Sequence, residues 1–176
     1  APYPWSYVGG FAGTVKNADF LRCVNNGTVT TDGDYVSGFA AKSETTTYTS
    51  CVNNGAITGR TKIGGFGGAV KSTKTVDSYN TGTIGLAAYN GGNQGIGGLF
   101  GEMGYGSTLT RCYNTGAVTG DCYVGGLVGS VGSGSDAANG PSYIVDSYNS
   151  GAITGHSDKN YCGIGGLVGK LDASSS

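Results

Sequence analysis

The chain has 176 residues, of which 36 are glycine, 3 are proline and 12 are tyrosine, a composition that is neither collagen-like nor that of a flexible linker. Its formal net charge is −1 and its 10 basic residues are scattered, so no stripe for binding phosphates exists and nucleic acid is excluded as a partner. No apolar run approaches the roughly 18 residues of a membrane helix, and no secretory signal pattern is present, as expected of a mature or excised chain.

Residues 1–7 read as a lead-in or cap, because Pro2 and Pro4 block strand addition and Trp5 can cover a core. A repeat array is expected from residue 8 to residue 171. Its first phrase runs Val8-Gly9-Gly10-Phe11-Ala12-Gly13 and returns at Val36, Ile63, Ile96, Val124 and Ile164. A second phrase lies between these copies: Cys23-Val24-Asn25-Asn26-Gly27, then the equivalents at Cys51, Ser78, Cys112 and Ser147. Successive first phrases are 28, 27, 33, 28 and 40 residues apart, so the base unit is 27–28 residues with insertions. Abundant Val, Ile, Thr and Tyr without a 3.6-residue apolar stripe favours strands over helices. The expectation is an all-β solenoid of five to six coils, each burying its apolar side chains against the next. Residues 172–176 end in Ala-Ser-Ser-Ser and read as a tail or linker.

Period-2 parity points Val76, Ser78, Asn80 and Ile84 inward, with Asp77, Tyr79, Thr81 and Thr83 outward. Asn25, Asn53, Asn80, Asn114 and Asn149 then form an internal column whose amides can bond from coil to coil. The glycine two residues on marks a turn with positive φ or a close backbone approach.

The chain resembles the GLUG-motif repeats of bacterial surface and secreted proteins. The likeness rests on Gly126-Leu127-Val128-Gly129 and Gly166-Leu167-Val168-Gly169, each preceded by a Tyr-Asn-x-Gly phrase, and spans about Tyr7 to Leu171. The first three copies depart from it, with Phe in place of Leu. The resemblance implies an extracellular repeat module in a larger, often adhesive or proteolytic, protein and transfers no catalytic residue.

Cys122 and Cys162 each stand two residues before a Gly-Gly phrase, which predicts a disulfide between adjacent coils. Cys23, Cys51 and Cys112 share a column with Ser78 and Ser147. Small buried side chains account for that column, and a Cys23–Cys51 disulfide is the alternative. No Cys-x-x-Cys or Cys/His cluster suggests a metal, and no cofactor motif is complete. Asp32-Gly33-Asp34 reads as a turn, with calcium as the lesser reading. His156 is expected on an exposed loop. No nucleophile, base and orienter converge in the pattern, so the chain is read as a non-enzyme.

Two outward features carry the functional reading. Tyr79, Tyr113 and Tyr148 would form a ladder on adjacent coils, either a platform for sugar rings or ordinary cross-strand packing. Beside them Asp77, Arg111 and Asp146 alternate in charge. Insertions near residues 86–95, 130–142 and 156–162 add Tyr89, Asn90, Gln94 and Tyr161 as candidate ligand contacts, because loops on rigid scaffolds carry specificity. The first and third should project from one edge. The leading expectation is a non-catalytic extracellular stalk, fibre or adhesin segment, extended in shape and associating end to end with itself or with neighbouring domains of a longer chain. The alternative is a carbohydrate or host-ligand binding module.

Overall fold

The structure is a computed structural model that describes residues 6–88, 95–132, 140–156 and 162–172. It is an all-β solenoid of five full coils and a half coil, with no helix among the described residues. Coil 1 holds β1 (Tyr7–Gly9), β2 (Ala12–Leu21), β3 (Val24–Asn25) and β4 (Val29–Thr30). Coil 2 holds β5 (Tyr35–Ser37), β6 (Ala40–Thr49), β7 (Val52–Asn53) and β8 (Ile57–Gly59). Coil 3 holds β9 (Ile63–Gly64), β10 (Gly67–Lys71), β11 (Lys74–Val76), β12 (Tyr79–Asn80) and β13 (Ile84–Leu86). Coil 4 holds β14 (Ile96–Gly97), β15 (Phe100–Met103), β16 (Thr108–Thr110), β17 (Tyr113–Asn114) and β18 (Val118–Gly120). Coil 5 holds β19 (Val124–Gly125), β20 (Val128–Val131), β21 (Tyr143–Val145), β22 (Tyr148–Asn149) and β23 (Ile153–Gly155), and the half coil holds β24 (Ile164–Gly165) and β25 (Val168–Leu171).

Every strand pairs in parallel with its equivalent in the next coil, which generates five faces. Face 1 is β1-β5-β9-β14-β19-β24. Faces 2 and 3 are one bent sheet, joined because β2 and β6 run through the corner that splits later coils into β10/β11, β15/β16 and β20/β21. Face 4 carries the Tyr-Asn strands and face 5 the Ile/Val strands of the second phrase. Five steps of about 4.8 Å make the whole stack only about 24 Å tall.

Positive backbone φ makes the corners. Arg22, Ser50, Asp77, Arg111 and Asp146 form one column between faces 3 and 4, with φ of 47–52° at each. Asn17, Thr45 and Ser72, followed by Gly106, form another between faces 2 and 3. The left-handed residue interrupts the strand period. Thr75 and Ser78 are both buried on either side of Asp77, and Val76 is only partly buried. The inward placement expected of Val76 is therefore corrected, while Ser78, Asn80 and Ile84 face in. At the next bend both positions of the Leu-Val pair are inside, as Leu127 and Val128 show.

The interior is two compartments. Faces 2 and 3 enclose an aromatic-rich cluster that includes Phe39, Tyr48, Phe66, Phe100, Met103 and Leu127. In it Phe11, Phe39 and Phe66 stack at 4.7 Å and Phe20 stacks on Tyr48 at 5.0 Å. Faces 1 and 5 enclose an aliphatic column of Val36, Ile57, Ile63, Ile84, Ile96, Val118 and Val124. Between them runs a polar web. Asn25 Nδ2 donates to Asn53 Oδ1 at 2.7 Å, Asn53 to Asn80 at 2.6 Å, Asn80 to Asn114 at 2.7 Å and Asn114 to Asn149 at 2.8 Å. Each Nδ2 also donates to the carbonyl two residues on, for instance Gly82 O at 2.7 Å.

The web explains why the two phrases recur together. In the first five copies the second glycine of the first phrase faces the asparagine of the second phrase across the coil. A Cβ on Gly65 would lie 2.9 Å from Asn80 Oδ1, and one on Gly38, Gly98 or Gly126 would collide with Asn53, Asn114 or Asn149. The glycine after each asparagine also stacks on its equivalent: a Cβ on Gly82 would strike the Gly55 carbonyl. Close approach, not positive φ, requires glycine there.

Candidate functional site

The second phrase places its odd residue outward on face 4, and a parallel register stacks those side chains. Tyr79 and Tyr113 have ring centroids 4.6 Å apart with planes 4° from parallel, and Tyr113 and Tyr148 are 5.1 Å apart at 6°. Tyr79 in turn registers with Val52. The rings therefore cover one another's faces, and the ladder shows edges and hydroxyls to solvent. A sugar stacks on a free ring face. The outer face of Tyr148, a residue 54% exposed on the edge strand β22, is where the ladder leaves one open.

The adjoining charge column is paired over one step. Arg111 Nε donates to Asp77 Oδ1 at 2.6 Å and Nη2 to Oδ2 at 2.9 Å. These hydrogen bonds hold the Asp77 carboxyl below its ordinary range. Asp146 acts on Arg111 only at longer range.

The structure brings together the predicted disulfide and not its companion. Cys122 and Cys162 are bonded between coil 5 and the half coil, with Cα atoms 4.8 Å apart. Cys23 and Cys51 are free thiols, which corrects the alternative pairing. Their side chains come off parallel strands side by side, and each sulfur is engaged with a carbonyl: Cys23 with Leu21 O at 3.5 Å, Cys51 with Phe20 O at 3.3 Å. Cys112 is likewise free, and burial pushes its thiol up to about 11.

Asp34 is buried and ion-paired with Arg60. Asp32 is exposed. His156 is exposed, with Nδ1 3.8 Å from Asp121. Among the described residues no three His, Cys, Asp or Glu side chains gather to hold a metal. Tyr89, Asn90, Gln94 and Tyr161 lie outside the described residues. The strands flanking the first and third insertions, β13/β14 and β23/β24, connect the same two faces, so both insertions leave from one corner.

One cluster escaped the sequence reading. The residue before each first phrase is often Tyr or Lys, and these side chains meet on the outside of face 1. Tyr7 and Tyr35 pack at 4.8 Å, Lys62 lies 5.0 Å from the Tyr35 ring centroid, and Lys62 Nζ is 2.6 Å from Glu102. Burial disfavours the Lys62 ammonium, but Glu102 and Tyr35 together outweigh it and raise its pKa. Lys170 covers Tyr123 in the same way at 4.9 Å. The signal was the recurrence of Tyr7, Tyr35, Lys62 and Tyr123 one position before Val or Ile.

Comparison with family models, with curated proteins and with solved structures finds no match to this chain.

Proposed function

We propose that this chain is a non-catalytic structural repeat module of the GLUG-repeat kind, a stalk, fibre or adhesin segment working outside a bacterial cell. The observation that carries the reading is where apolar surface is left. Among the described residues, large exposed hydrophobic side chains fall on the end coils: Phe11, Leu21 and Val24 on coil 1, and Tyr143, Val145, Tyr148, Ile164, Leu167 and Leu171 on coil 5 and the half coil. On coils 2 to 4 the described sides are closed by stacked side-chain ladders, as suits a repeat module that serves as a spacer. The Cys122–Cys162 disulfide suits an oxidising compartment.

A second reading, glycan recognition, is favoured by the open face of Tyr148 and the hydroxyl edge of the ladder. A panel of polysaccharides and host glycans, screened with the native chain and with Tyr148→Ala, separates the two. The structural reading expects no saturable binding. Binding that disappears in Tyr148→Ala overturns it and makes face 4 a recognition surface.

A further inference from the structure

The tyrosine ladder brings three phenols into one repeated contact. Parallel registers set Tyr79 beside Tyr113 and Tyr113 beside Tyr148. Identical side chains repeat by translation, so each ring lies over the next with like atoms facing. The centroids are 4.6 and 5.1 Å apart, and the planes are 4° and 6° from parallel. An ortho carbon of one phenol therefore faces the ortho carbon of its neighbour across about one strand spacing, roughly 4.8 Å. Tyr79 and Tyr113 are partly buried and Tyr148 is exposed, so the hydroxyl edge of the stack meets solvent. The pair on face 1 differs. Tyr7 and Tyr35 are tilted by 34°, and Tyr35 is buried with its hydroxyl accepting from Lys62 Nζ at 3.3 Å.

We infer that the ladder is a site of oxidative cross-linking, at which Tyr113 couples ortho carbon to ortho carbon with Tyr79 or with Tyr148. The co-reactant is hydrogen peroxide, delivered through a one-electron peroxidase. Each of two phenols gives up one electron and its hydroxyl proton, which leaves two phenoxyl radicals with spin on their ortho carbons. Those carbons form one C–C bond. Each ring then shifts the displaced hydrogen from carbon to oxygen and is a phenol again. The two electrons and two protons released reduce one hydrogen peroxide to two waters.

The fold favours this product over random coupling. A free tyrosyl radical must meet its partner by diffusion, whereas here the partner is in contact before oxidation begins. A radical on any rung passes between touching rings, so a second oxidation anywhere on the ladder yields neighbouring radicals. Closing the gap takes rotation about χ1 and χ2 only, which surface side chains undergo on the picosecond to nanosecond scale. The new bond would tie coil 3 to coil 4, or coil 4 to coil 5. The Cys122–Cys162 disulfide instead holds coil 5 to the half coil, so the two covalent links secure different parts of the stack. This chemistry goes beyond the structural reading and is assayed independently of it.

The test treats the protein, dilute enough to disfavour encounters between molecules, with a peroxidase and hydrogen peroxide. The monomer is then recovered by size exclusion. Expected are dityrosine fluorescence in the monomer and, after digestion, a peptide containing Tyr113 joined to one containing Tyr79 or Tyr148. Tyr113→Phe keeps the ring and removes the radical site common to both contacts, so the monomeric product should be lost. Tyr79→Phe should move the link wholly to Tyr148, and Tyr148→Phe wholly to Tyr79. Each substitution deletes one outward hydroxyl, so the coil register stays as it is. Dityrosine that persists in Tyr113→Phe, that joins Tyr7 to Tyr35 in place of the ladder, or that forms only between molecules overturns the inference. So does oxidation that consumes tyrosine without forming dityrosine. A glycan hit in the earlier screen would overturn the structural reading and leave this result standing.

Discussion

Asn80 shows how much one side chain carries. Its Nδ2 makes two hydrogen bonds, its Oδ1 accepts a third, and it is fully buried. Asn80→Ala should cost about 3 kcal/mol in chemical denaturation, because two ladder partners lose a bond in a dry interior. Gly98→Ala should cost at least as much. It should not be rescued by Asn114→Ala, because the added Cβ also strikes the Gly126 carbonyl; a double-mutant cycle reads this directly. Cys112 makes a pH prediction. Its folded thiol titrates near 11 against an ordinary value of 9.0, so the unfolded chain releases its proton first as pH rises. The group's stabilisation is intact below about pH 9 and is lost through the window up to 11, about 2–3 kcal/mol in all. Cys112→Ser should flatten that part of the decline in a denaturation series from pH 8 to 11. At this scale the sequence was legible where residues repeat. The asparagine column and the Cys122–Cys162 pair could be read from spacing, because parallel in-register coils turn sequence period into contact. The free thiols of Cys23 and Cys51 agree with the small-side-chain reading of a column they share with Ser78 and Ser147.

At the scale of strands, the corners set the shape. Five non-glycine residues in one column hold positive φ, a conformation costing of the order of 1 kcal/mol or more for an L-residue. Ser50→Val should therefore lower stability by about 1–3 kcal/mol, although Ser50 is exposed. Ser50→Gly should stay within about 1 kcal/mol of the native chain, and thermal unfolding of the pair distinguishes backbone strain from lost contacts. This column is also where period-2 parity misled the reading of Val76. Alternation holds along a strand and resets at a left-handed residue, and Arg, Ser and Asp in that column give no glycine to announce it. The stacking of Tyr79, Tyr113 and Tyr148 was readable as a ladder, whereas the loss of their free faces follows from ring planes set by packing.

For the molecule as a whole, stability is a sum over neighbours, and among the described coils the half coil has a neighbour on one side. β24 and β25 contact coil 5 on one side only, and the disulfide closes a 40-residue separation to hold them. Such a link contributes about 3–4 kcal/mol in the chain-entropy model. Reduction should raise amide exchange over 164–171 by at least tenfold while leaving Asn53, Asn80 and Asn114 protected. Uniform loss of protection would show instead that the coils unfold as one unit. The number of coils was legible from the phrase count.

The polar web has a consequence for how this chain tolerates change. Between the first Val or Ile and the second glycine of one phrase, and between the asparagine and the Ile or Val of the other, no coil gains or loses a residue. Chain length varies instead at two corners, from face 5 to face 1 and from face 2 to face 3, one beside each compartment. The web thus acts as a gauge of fixed width, and the corners on either side of it are free margins. Foreign loops grafted at those margins should leave the gauge untouched, which makes the solenoid a frame whose outline can be rewritten at two places per turn without recutting its interior.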